Sequence, residues 1–395
     1  MQVRPWSKLA VALCFSALGL SQPPPPPPPP YSSPEVMPDH RIAFRLRAPN
    51  ARDVRVFGTD LPGLSQHSQM TKNEQGIWEL IFGPVDPGAY RYTFQVDGVT
   101  VLDPRNPSLS ESNDTAWSLV YVPGAAFMDT QDVPHGAVSV VTYYSKTLHK
   151  FRRLHVYLPP GYETSTQKYP IFYLLHGAGD SDDSWTSVGR AGFILDNLLA
   201  GRRAKPMVVI MPAGHTARDP FRNRPAGART VDFNDDFVRD FENDIMPMAE
   251  IRYRVYTDRA HRAIAGLSMG GNHALIIGIA NLDKFAYIGV FSSGLLGTFP
   301  VRRGDVSSNS GGDPAPDPAW ENQNRAQLEN AALKKGLKVF WFSTGLDDPL
   351  IGNTRSTVAL FEKFGFHPVF QESAGAHTWT NWRNYLNEFA PLLFQ

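Results

Sequence analysis

The stretch Ala263-Ile264-Ala265-Gly266-Leu267-Ser268-Met269-Gly270-Gly271 decides the fold of this chain. Small and apolar residues lead into Gly266-x-Ser268-x-Gly270, and an apolar run with helical character follows it. A strand, a tight turn and a helix in that order form a nucleophile elbow, where the serine is strained and glycines two positions away avoid a collision. The alternative is a glycine-rich turn with an incidental serine, which the flanking patterns disfavour. The stretch therefore predicts Ser268 as a nucleophile.

Length, charge and motif content limit the classes of function. At 395 residues, the chain is longer than one hydrophobic core usually supports, so we expect two domains. The 38 basic and 38 acidic residues cancel, which gives no indication of a nucleic-acid or anionic-membrane binder. The sequence has no metal-ligand spacing and no phosphate-binding glycine loop, so we expect neither a metal nor a cofactor. Three clustered acids fit the start of a helix instead: Asp232, Asp235 and Asp236.

Residues 1–21 are predicted to be an export signal. Arg4 and Lys8 supply a positive start, and Leu9–Leu20 is an apolar run too short to span a bilayer comfortably. We therefore expect a secreted or periplasmic protein with no membrane contact after the signal is removed. The only cysteine, Cys14, lies inside this segment, so we expect no disulfide in the processed chain.

Two segments separate this signal from the region that carries the serine. Residues 22–37 are predicted to be a stiff linker, because Pro23–Pro30 is an unbroken proline run. Residues 38–123 contain short alternating runs separated by turn residues, which predicts a small all-β, immunoglobulin-like sandwich. Four aromatic residues of the sandwich either stack on sugar rings or, as we expect for most of them, face the core or a domain interface: Trp78, Tyr90, Tyr92 and Trp117.

Residues 124–395 are predicted to form an α/β domain with a mostly parallel sheet. The uninterrupted apolar run Ile171–Leu175 is typical of a buried parallel strand. Further strand and helix patterns alternate after it, as such a sheet requires. The strands are predicted at 138–144, 207–211, 263–265, 286–291 and 338–343, the helices at 233–253 and 381–393, and two rim segments at 213–232 and 297–318.

Histidine is the expected base for a serine nucleophile, and in the α/β-hydrolase order it follows the acid. His273 lies one turn into the helix after Ser268 and is expected to point away from the serine. His367 lies in a helix-to-strand connection and is expected to be structural. His377 follows a strand in a loop of small residues and precedes the last helix, which is where this fold places its base. We therefore predict His377.

The acid is predicted in the turn after the strand at 338–343. Asp347 and Asp348 compete for this role, but neighbours on a turn point in different directions, so only one can meet the imidazole. We choose Asp348 and expect Asp347 to be structural or capping.

The oxyanion hole requires two backbone N–H groups directed at the developing negative charge. The first is predicted from Met269, the residue after the nucleophile, and the second from Ala178 in the loop after the strand at 171–175. His176, in the same loop, is expected to brace the loop through hydrogen bonds rather than to act as a base.

Four motifs carry a family resemblance: "YLLHGAGDSDDSW", "AIAGLSMGG", "GLDDPLIG" and "GAHTWTNWR". Together they resemble the esterase-D-like superfamily and, more narrowly, carbohydrate esterase family 1, which contains feruloyl and acetyl xylan esterases. The resemblance implies an α/β-hydrolase fold with Ser268, Asp348 and His377 as the triad. It also implies substrate contacts at Trp185, Trp379 and Gly177. The sandwich contains, in order, "RVFGTDLPG", "MTKNEQGIWEL", "PGAYRYTFQVDG" and "VLDPRNP". In this pattern it resembles carbohydrate-binding module family 48.

This resemblance implies an exported serine carboxylic-ester hydrolase that releases ferulate from plant cell-wall arabinoxylan. The expected partners are cell-wall polysaccharide or its feruloylated oligosaccharides, and the oligomeric state stays open. An acetyl xylan esterase is the near alternative, and a siderophore esterase of the enterochelin type is a more distant one. The non-enzyme alternative is a glycan-binding protein with an inactive hydrolase domain.

Overall fold

A computed structural model describes residues 30–216, 235–295 and 318–395. The predicted export signal, most of the proline run, and most of the segments 213–232 and 297–318 lie outside the described residues. The chain from Ser32 to Gln395 forms one compact unit that contains both the sandwich and the α/β domain. In the described part of the chain, no helix combines the length and the apolar character needed to cross a membrane.

The N-terminal sandwich is built from nine short strands. They are β1 (Glu35–Val36), β2 (Ile42–Arg47), β3 (Val54–Phe57), β4 (Thr71–Lys72), β5 (Ile77–Phe82), β6 (Gly88–Val96), β7 (Val99–Val101), β8 (Leu109–Glu111) and β9 (Ala116–Val122), with a 3-10 turn at Leu64–Gln66. One sheet has the order β1-β2-β5-β4, the other has the order β3-β6-β9-β8, and β7 pairs with β6. All pairings within these two sheets are antiparallel, as expected for a sandwich.

The sandwich begins before the predicted boundary at residue 38. Strand β1 lies inside the predicted 22–37 linker and pairs with β2. The hydroxyl of Ser33 is buried and donates a hydrogen bond of 2.6 Å to Asp103. The end of the predicted linker is therefore tied into the sandwich, because its backbone and side chains find partners there.

Most sandwich aromatic residues are structural, as expected. Trp78, Tyr90 and Tyr92 are buried in the sandwich core. The indole of Trp78 donates to the backbone oxygen of Ala48 at 2.9 Å, which satisfies its polar group in the core. Trp117 is only partly buried, and its ring stacks on that of the exposed Phe57 at 5.9 Å.

The α/β domain carries one eight-stranded sheet. Its strands are β10 (Ala137–Ser145), β11 (Lys150–Leu158), β12 (Ile171–Leu175), β13 (Val208–Pro212), β14 (Arg262–Leu267), β15 (Tyr287–Phe291), β16 (Val339–Gly345) and β17 (Val369–Ser373). Its helices are α1 (Ala191–Ala200), α2 (Asp235–Asp240), α3 (Met246–Arg252), α4 (Met269–Ala280), α5 (Pro318–Glu329), α6 (Ala331–Lys335), α7 (Ile351–Lys363) and α8 (Trp379–Phe389). The strand order is β10-β11-β13-β12-β14-β15-β16-β17. The pairings from β13 to β17 are parallel, while β10 and β11 are antiparallel, which confirms a mostly parallel sheet.

Both faces of this sheet are covered, which explains the apolar runs in the sequence. In β12, Ile171 and Tyr173 pack into the core on one face, while Phe172 and Leu174 pack into the core on the other. The second core also contains Ala89 of the sandwich strand β6. A strand buried on both faces has no polar side to alternate with, so it reads as a continuous apolar segment.

Two predicted helices differ in detail from the observed ones. The described part of the 233–253 helix begins at Asp235 and is divided by a π-helical segment, Phe241–Ile245, that separates α2 from α3. The predicted 381–393 helix starts earlier, at Trp379, and is followed by a 3-10 turn, Ala390–Leu392. In α8 the buried residues Trp379, Trp382, Arg383, Leu386 and Phe389 each have another of the set three or four positions away, which gives the helix one buried face.

Candidate active site

The serine of the Gly-x-Ser-x-Gly motif occupies a strained turn between β14 and α4. Ser268 has φ 51° and ψ −118°, a backbone conformation that costs a non-glycine residue about 1–3 kcal/mol. Its N–H donates to the backbone oxygen of Phe291 at 2.9 Å. Its backbone oxygen accepts from the hydroxyl of Ser293 at 2.6 Å. These contacts hold Ser268 in the elbow conformation that the sequence predicts.

The flanking glycines are required by close backbone contacts. A Cβ added to Gly266 would lie 2.3 Å from the backbone oxygen of Gly270. A Cβ added to Gly270 would lie 2.5 Å from the backbone oxygen of His176. Carbon atoms do not approach oxygen this closely, so both positions exclude larger residues. The predicted reason for glycine on each side of Ser268 is confirmed.

The three predicted triad residues lie at one edge of the sheet. Ser268 directly follows β14, Asp348 follows β16 and His377 follows β17, and these strands are parallel. The carboxyl ends of parallel strands share one edge, which is where α/β folds place their sites. The imidazole Nδ1 of His377 lies 2.9 Å from Oδ2 and 3.1 Å from Oδ1 of Asp348.

The environment of Asp348 fixes the tautomer of this histidine. The carboxyl of Asp348 has no exposed area, and its Oδ1 accepts the N–H of Leu350 at 2.8 Å. The oxygens of a carboxylate accept hydrogen bonds, so Nδ1 of His377 donates to Asp348, and in the neutral ring that leaves the lone pair on Nε2. The neighbouring Asp347 is exposed, and its N–H donates to the backbone oxygen of Gly375 at 3.0 Å. The structure thus brings Asp348, not Asp347, to His377.

The loop after β12 passes next to the nucleophile. A Cβ added to Gly177 would lie 3.4 Å from Cβ of Ser268 and 2.6 Å from Cδ1 of Leu267. Met269 is the first residue of α4, and the N–H groups of a helix's first turn have no acceptor within the helix. The predicted oxyanion donors, Met269 and Ala178, therefore belong to the two segments that flank Ser268.

His176 braces this loop, as expected. It is buried, its Nε2 accepts the N–H of Gly214 at 2.7 Å, and its Nδ1 lies 2.8 Å from the backbone oxygen of Gly177. Because Nε2 accepts, Nδ1 carries the proton and donates to that oxygen. Burial lowers the pKa of His176 and keeps the ring neutral. The ring of His215 lies 5.4 Å from that of His176, and burial lowers the pKa of His215 to about 3.

Trp185 and Trp379, which are predicted to contact substrate, both place their side chains in the core. Their exposed fractions are 1% and 2%, and their rings pack edge to face at 5.1 Å. The indole of Trp185 donates to the backbone oxygen of Leu175, the last residue of β12. Trp379 packs on Trp382, whose ring contacts His377 edge to face at 5.0 Å. These tryptophans pack beneath His377 and the end of β12 and so stabilise the positions of the site residues.

Two aspartates after the oxyanion loop bind the sandwich, a feature that sequence reasoning missed. Asp180 pairs with Arg91 of strand β6 at 2.7 Å, and both side chains are buried. Asp183 accepts the N–H of Glu111, the last residue of β8, at 2.8 Å. The signal was present in the quoted motif, where three acids fall within four residues beside a predicted catalytic loop.

The third acid, Asp182, binds the α/β domain itself. Its carboxylate accepts from Arg153 and His155, both on β11, at 2.8 Å each. Burial alone would raise the pKa of Asp182, but the hydrogen bonds from His155 and Arg153 lower it to about 2. Asp182 is therefore ionised at neutral pH and holds the segment to the sheet.

Among residues 30–216, 235–295 and 318–395, no cluster of histidine, cysteine and acidic side chains forms a metal site. Of the three acids assigned to a helix start, Asp235 is the first residue of α2 and Asp236 pairs with Arg239 at 2.6 Å. Asp232 lies outside the described residues, as does most of the predicted rim segment at 213–232.

Comparison with known families matches both domains of the chain. Residues 145–393 match the family model described as "Putative esterase". Residues 32–108 match the model of carbohydrate-binding module 48, the isoamylase N-terminal domain. The second match begins near the observed start of the sandwich.

A curated relative is the endo-1,4-beta-xylanase/feruloyl esterase of Xylanibacter ruminicola. It is 31% identical over 270 residues, which are 66% of this chain and 36% of that protein. The chain thus spans about a third of the length of that relative.

Two solved structures are similar to this chain. A CE1 ferulic acid esterase from Anaeromyces mucronatus in complex with ferulic acid is 26% identical, with a TM-score of 0.55 over 69% of this chain and 96% of that one. The enterobactin esterase of Shigella flexneri is 16% identical, with a TM-score of 0.58 over 89% of this chain and 92% of that one. At that identity the second likeness shows a shared fold alone.

Proposed function

Because this chain belongs to the esterase family, we propose that it is a serine carboxylic-ester hydrolase that releases ferulate and related hydroxycinnamates from arabinoxylan. The observation that carries the proposal is the His377–Asp348 pair at the sheet edge where the strained Ser268 immediately precedes α4. The names of the Xylanibacter ruminicola relative and the Anaeromyces mucronatus structure support the feruloyl substrate class. The whole-chain likeness to the enterobactin esterase concerns the fold, so the siderophore alternative has no observation of its own.

In the first half of the proposed reaction, Oγ of Ser268 forms a bond to the ester carbonyl carbon. Nε2 of His377 takes the serine proton, and Asp348 stabilises the imidazolium through Nδ1. The N–H groups of Met269 and Ala178 stabilise the oxyanion. The bond between the carbonyl carbon and the sugar oxygen then breaks, and His377 returns the proton to that oxygen.

In the second half, water hydrolyses the acyl-enzyme. His377 takes a proton from the water as the water oxygen bonds to the carbonyl carbon. The bond to Oγ breaks, His377 protonates Ser268, and the hydroxycinnamic acid leaves. Two easier steps replace one difficult step, which is the benefit of nucleophilic catalysis.

The proposal extends to the polymer and to the location of the enzyme. The family 48 match of the sandwich supports a carbohydrate-linked substrate. The basic and apolar pattern of residues 1–21 supports export to the medium or the periplasm, where plant polysaccharide is accessible. N-terminal sequencing of the secreted protein tests this point, with a mature start at Gln22 expected and an intact Met1 contradicting it.

The substrate class is tested by initial rates on methyl ferulate, a short acetyl ester and acetylated xylan, with Ser268→Ala as the blank. We expect kcat/KM on methyl ferulate to exceed that on the acetyl ester by about tenfold or more, because an aryl-accepting site gains binding energy from the ring. Preference for the acetyl substrates would move the function to acetyl xylan hydrolysis. Turnover of none of the three would contradict the proposed hydrolysis.

A further inference from the structure

One strand of the sandwich, β6, contacts both the segment that ends the oxyanion loop and helix α8, which follows His377. Strand β6 carries Arg91, which binds the segment that ends the oxyanion loop. The same strand offers the backbone oxygen of Ala89 to Arg383, at 3.1 Å, on the helix that follows His377. Residues 89 and 91 thus anchor the oxyanion loop and helix α8 to one rigid element.

The contact of Arg91 with the loop is buried and is made through several hydrogen bonds. Its guanidinium donates from Nη1 to Asp180 at 2.7 Å, from Nη2 to Ser184 at 2.7 Å and from Nε to Ser110 at 2.9 Å. Nη2 also donates to the backbone oxygen of Glu111 at 3.0 Å. Arg91 is 5% exposed. A planar fork with this many partners fixes the carboxylate in position and orientation, which a point charge does not.

Asp180 transmits this constraint to the residues beside the nucleophile. Its N–H donates to the backbone oxygen of Gly177 at 3.1 Å, which closes the turn that contains Ala178. The backbone of Asp180 also forms an antiparallel bridge with Ser112, just after strand β8. A Cβ on Gly177 would lie 3.1 Å from Oδ2 of Asp180 and 3.4 Å from Cβ of Ser268. The loop is therefore held between the sandwich on one side and the elbow on the other.

Arg383 makes the second contact of strand β6, the one that links it to helix α8. Arg383 is 1% exposed, and besides Ala89 it binds the backbone oxygen of Val188 at 3.0 Å. A Cβ on Gly88 would lie 2.8 Å from its Nη2, so the strand and the guanidinium are in close contact. The guanidinium of Arg91 in turn lies 5.8 Å from the ring centre of Trp379, the first residue of α8.

We propose that Arg91 is a positioning residue for ester hydrolysis, because through Asp180 it holds the oxyanion loop against Ser268. The sandwich then contributes to catalysis by positioning this loop. This proposal rests on the proposed function. It assigns the sandwich a role that is independent of any glycan it binds.

The test compares Arg91→Met with Arg45→Met in the full chain. Arg45 is the control because it is an arginine of the same sandwich whose two ion-pair partners, Glu35 and Glu79, both lie inside the sandwich. We expect Arg91→Met to lower kcat on methyl ferulate by about 30- to 100-fold while KM stays within about threefold, because a misplaced oxyanion donor weakens transition-state binding more than substrate binding. Arg45→Met is expected to stay within about twofold of wild type, since surface ion pairs contribute little.

Two further readouts separate positioning from general stability. Hydrogen exchange of the backbone amides 176–180 is expected to accelerate about tenfold or more in Arg91→Met and not in Arg45→Met. The inhibition constant of phenylboronic acid, whose serine adduct is tetrahedral, is expected to rise in parallel with the fall in kcat. Arg91→Lys keeps the charge but not the fork, so it is expected to recover part of kcat.

Each outcome decides the proposal. Equal kcat values for Arg91→Met and Arg45→Met would overturn it, as would a lower kcat with unchanged exchange of amides 176–180. If Arg91→Met does not fold, Asp180→Asn and Arg91→Lys carry the same comparison. If the wild-type chain does not hydrolyse methyl ferulate, the proposed function fails, while the exchange of amides 176–180 in Arg91→Met and Arg45→Met still decides whether Arg91 positions the loop.

Discussion

The substitution Gly270→Ala tests how closely the elbow and the oxyanion loop must fit. The added Cβ would lie 2.5 Å from the backbone oxygen of His176 and 2.7 Å from that of Leu175. Ordinary contact begins at 3.4 Å, so the loop must retreat by about 0.9 Å. A displacement of about 1 Å in a catalytic group costs about 100-fold in rate, or about 2.7 kcal/mol in activation free energy.

We therefore expect Gly270→Ala to lower kcat on methyl ferulate by about 100-fold. The matched control is Gly192→Ala, because Gly192 is likewise the second residue of its helix, α1. A Cβ there would meet its nearest atom, on Val138, at 3.6 Å, which is an ordinary contact. Thermal melts and near-ultraviolet circular dichroism check that both variants fold. A folded Gly270→Ala variant with kcat within about threefold of wild type would show that the loop tolerates the added methyl group without displacing a catalytic group.

Three other predictions follow from the site. Asp348→Asn is expected to lower kcat by about a thousandfold or more, because the amide no longer fixes the proton on Nδ1 of His377; a loss under tenfold would contradict the triad. Trp185→Phe is expected to lower the free energy of unfolding in urea by about 1–3 kcal/mol with KM unchanged, because it removes core volume and a buried hydrogen bond. A raised KM with an unchanged free energy of unfolding would instead indicate that Trp185 contacts substrate. The carboxyl of Asp182 has its pKa lowered to about 2. Its contribution to the free energy of unfolding is therefore present above pH 4 and is lost as the pH falls through 2. Urea unfolding of wild type should therefore lose about 2 kcal/mol more over that interval than Asp182→Asn, and equal losses would contradict this assignment.

The elements on which the site is built could be predicted because their signals are local. The run Ile171–Leu175 coincides with β12, since a strand buried on both faces is apolar throughout. The elbow around Ser268 follows from steric demands on its immediate neighbours, Gly266 and Gly270. The limit on how neighbouring side chains can point left one acid to choose between Asp347 and Asp348, the family resemblance implied Asp348, and the structure places Asp348 at His377.

Other features depend on contacts that the local sequence does not encode. Trp185 and Trp379 lie in motifs near the cleft, but only the packing of α8 on the sheet shows that their rings face the core. The pairing of Arg91 with Asp180 joins residues 89 positions apart in two domains. Hydrophobic periodicity gives no information about such a pair. The short strand β1 was assigned to the linker because two residues are too few to show a period.

If Ser268 is the nucleophile, it carries the acyl group during turnover. Rapid acid quenching of the enzyme during hydrolysis of methyl ferulate, followed by digestion and peptide mass spectrometry, detects that group. We expect one feruloyl group on the peptide that contains Ser268 and none in the Ser268→Ala variant, which should also be inactive. A feruloyl group on a different residue, or a Ser268→Ala variant that turns over at the wild-type rate, would contradict it.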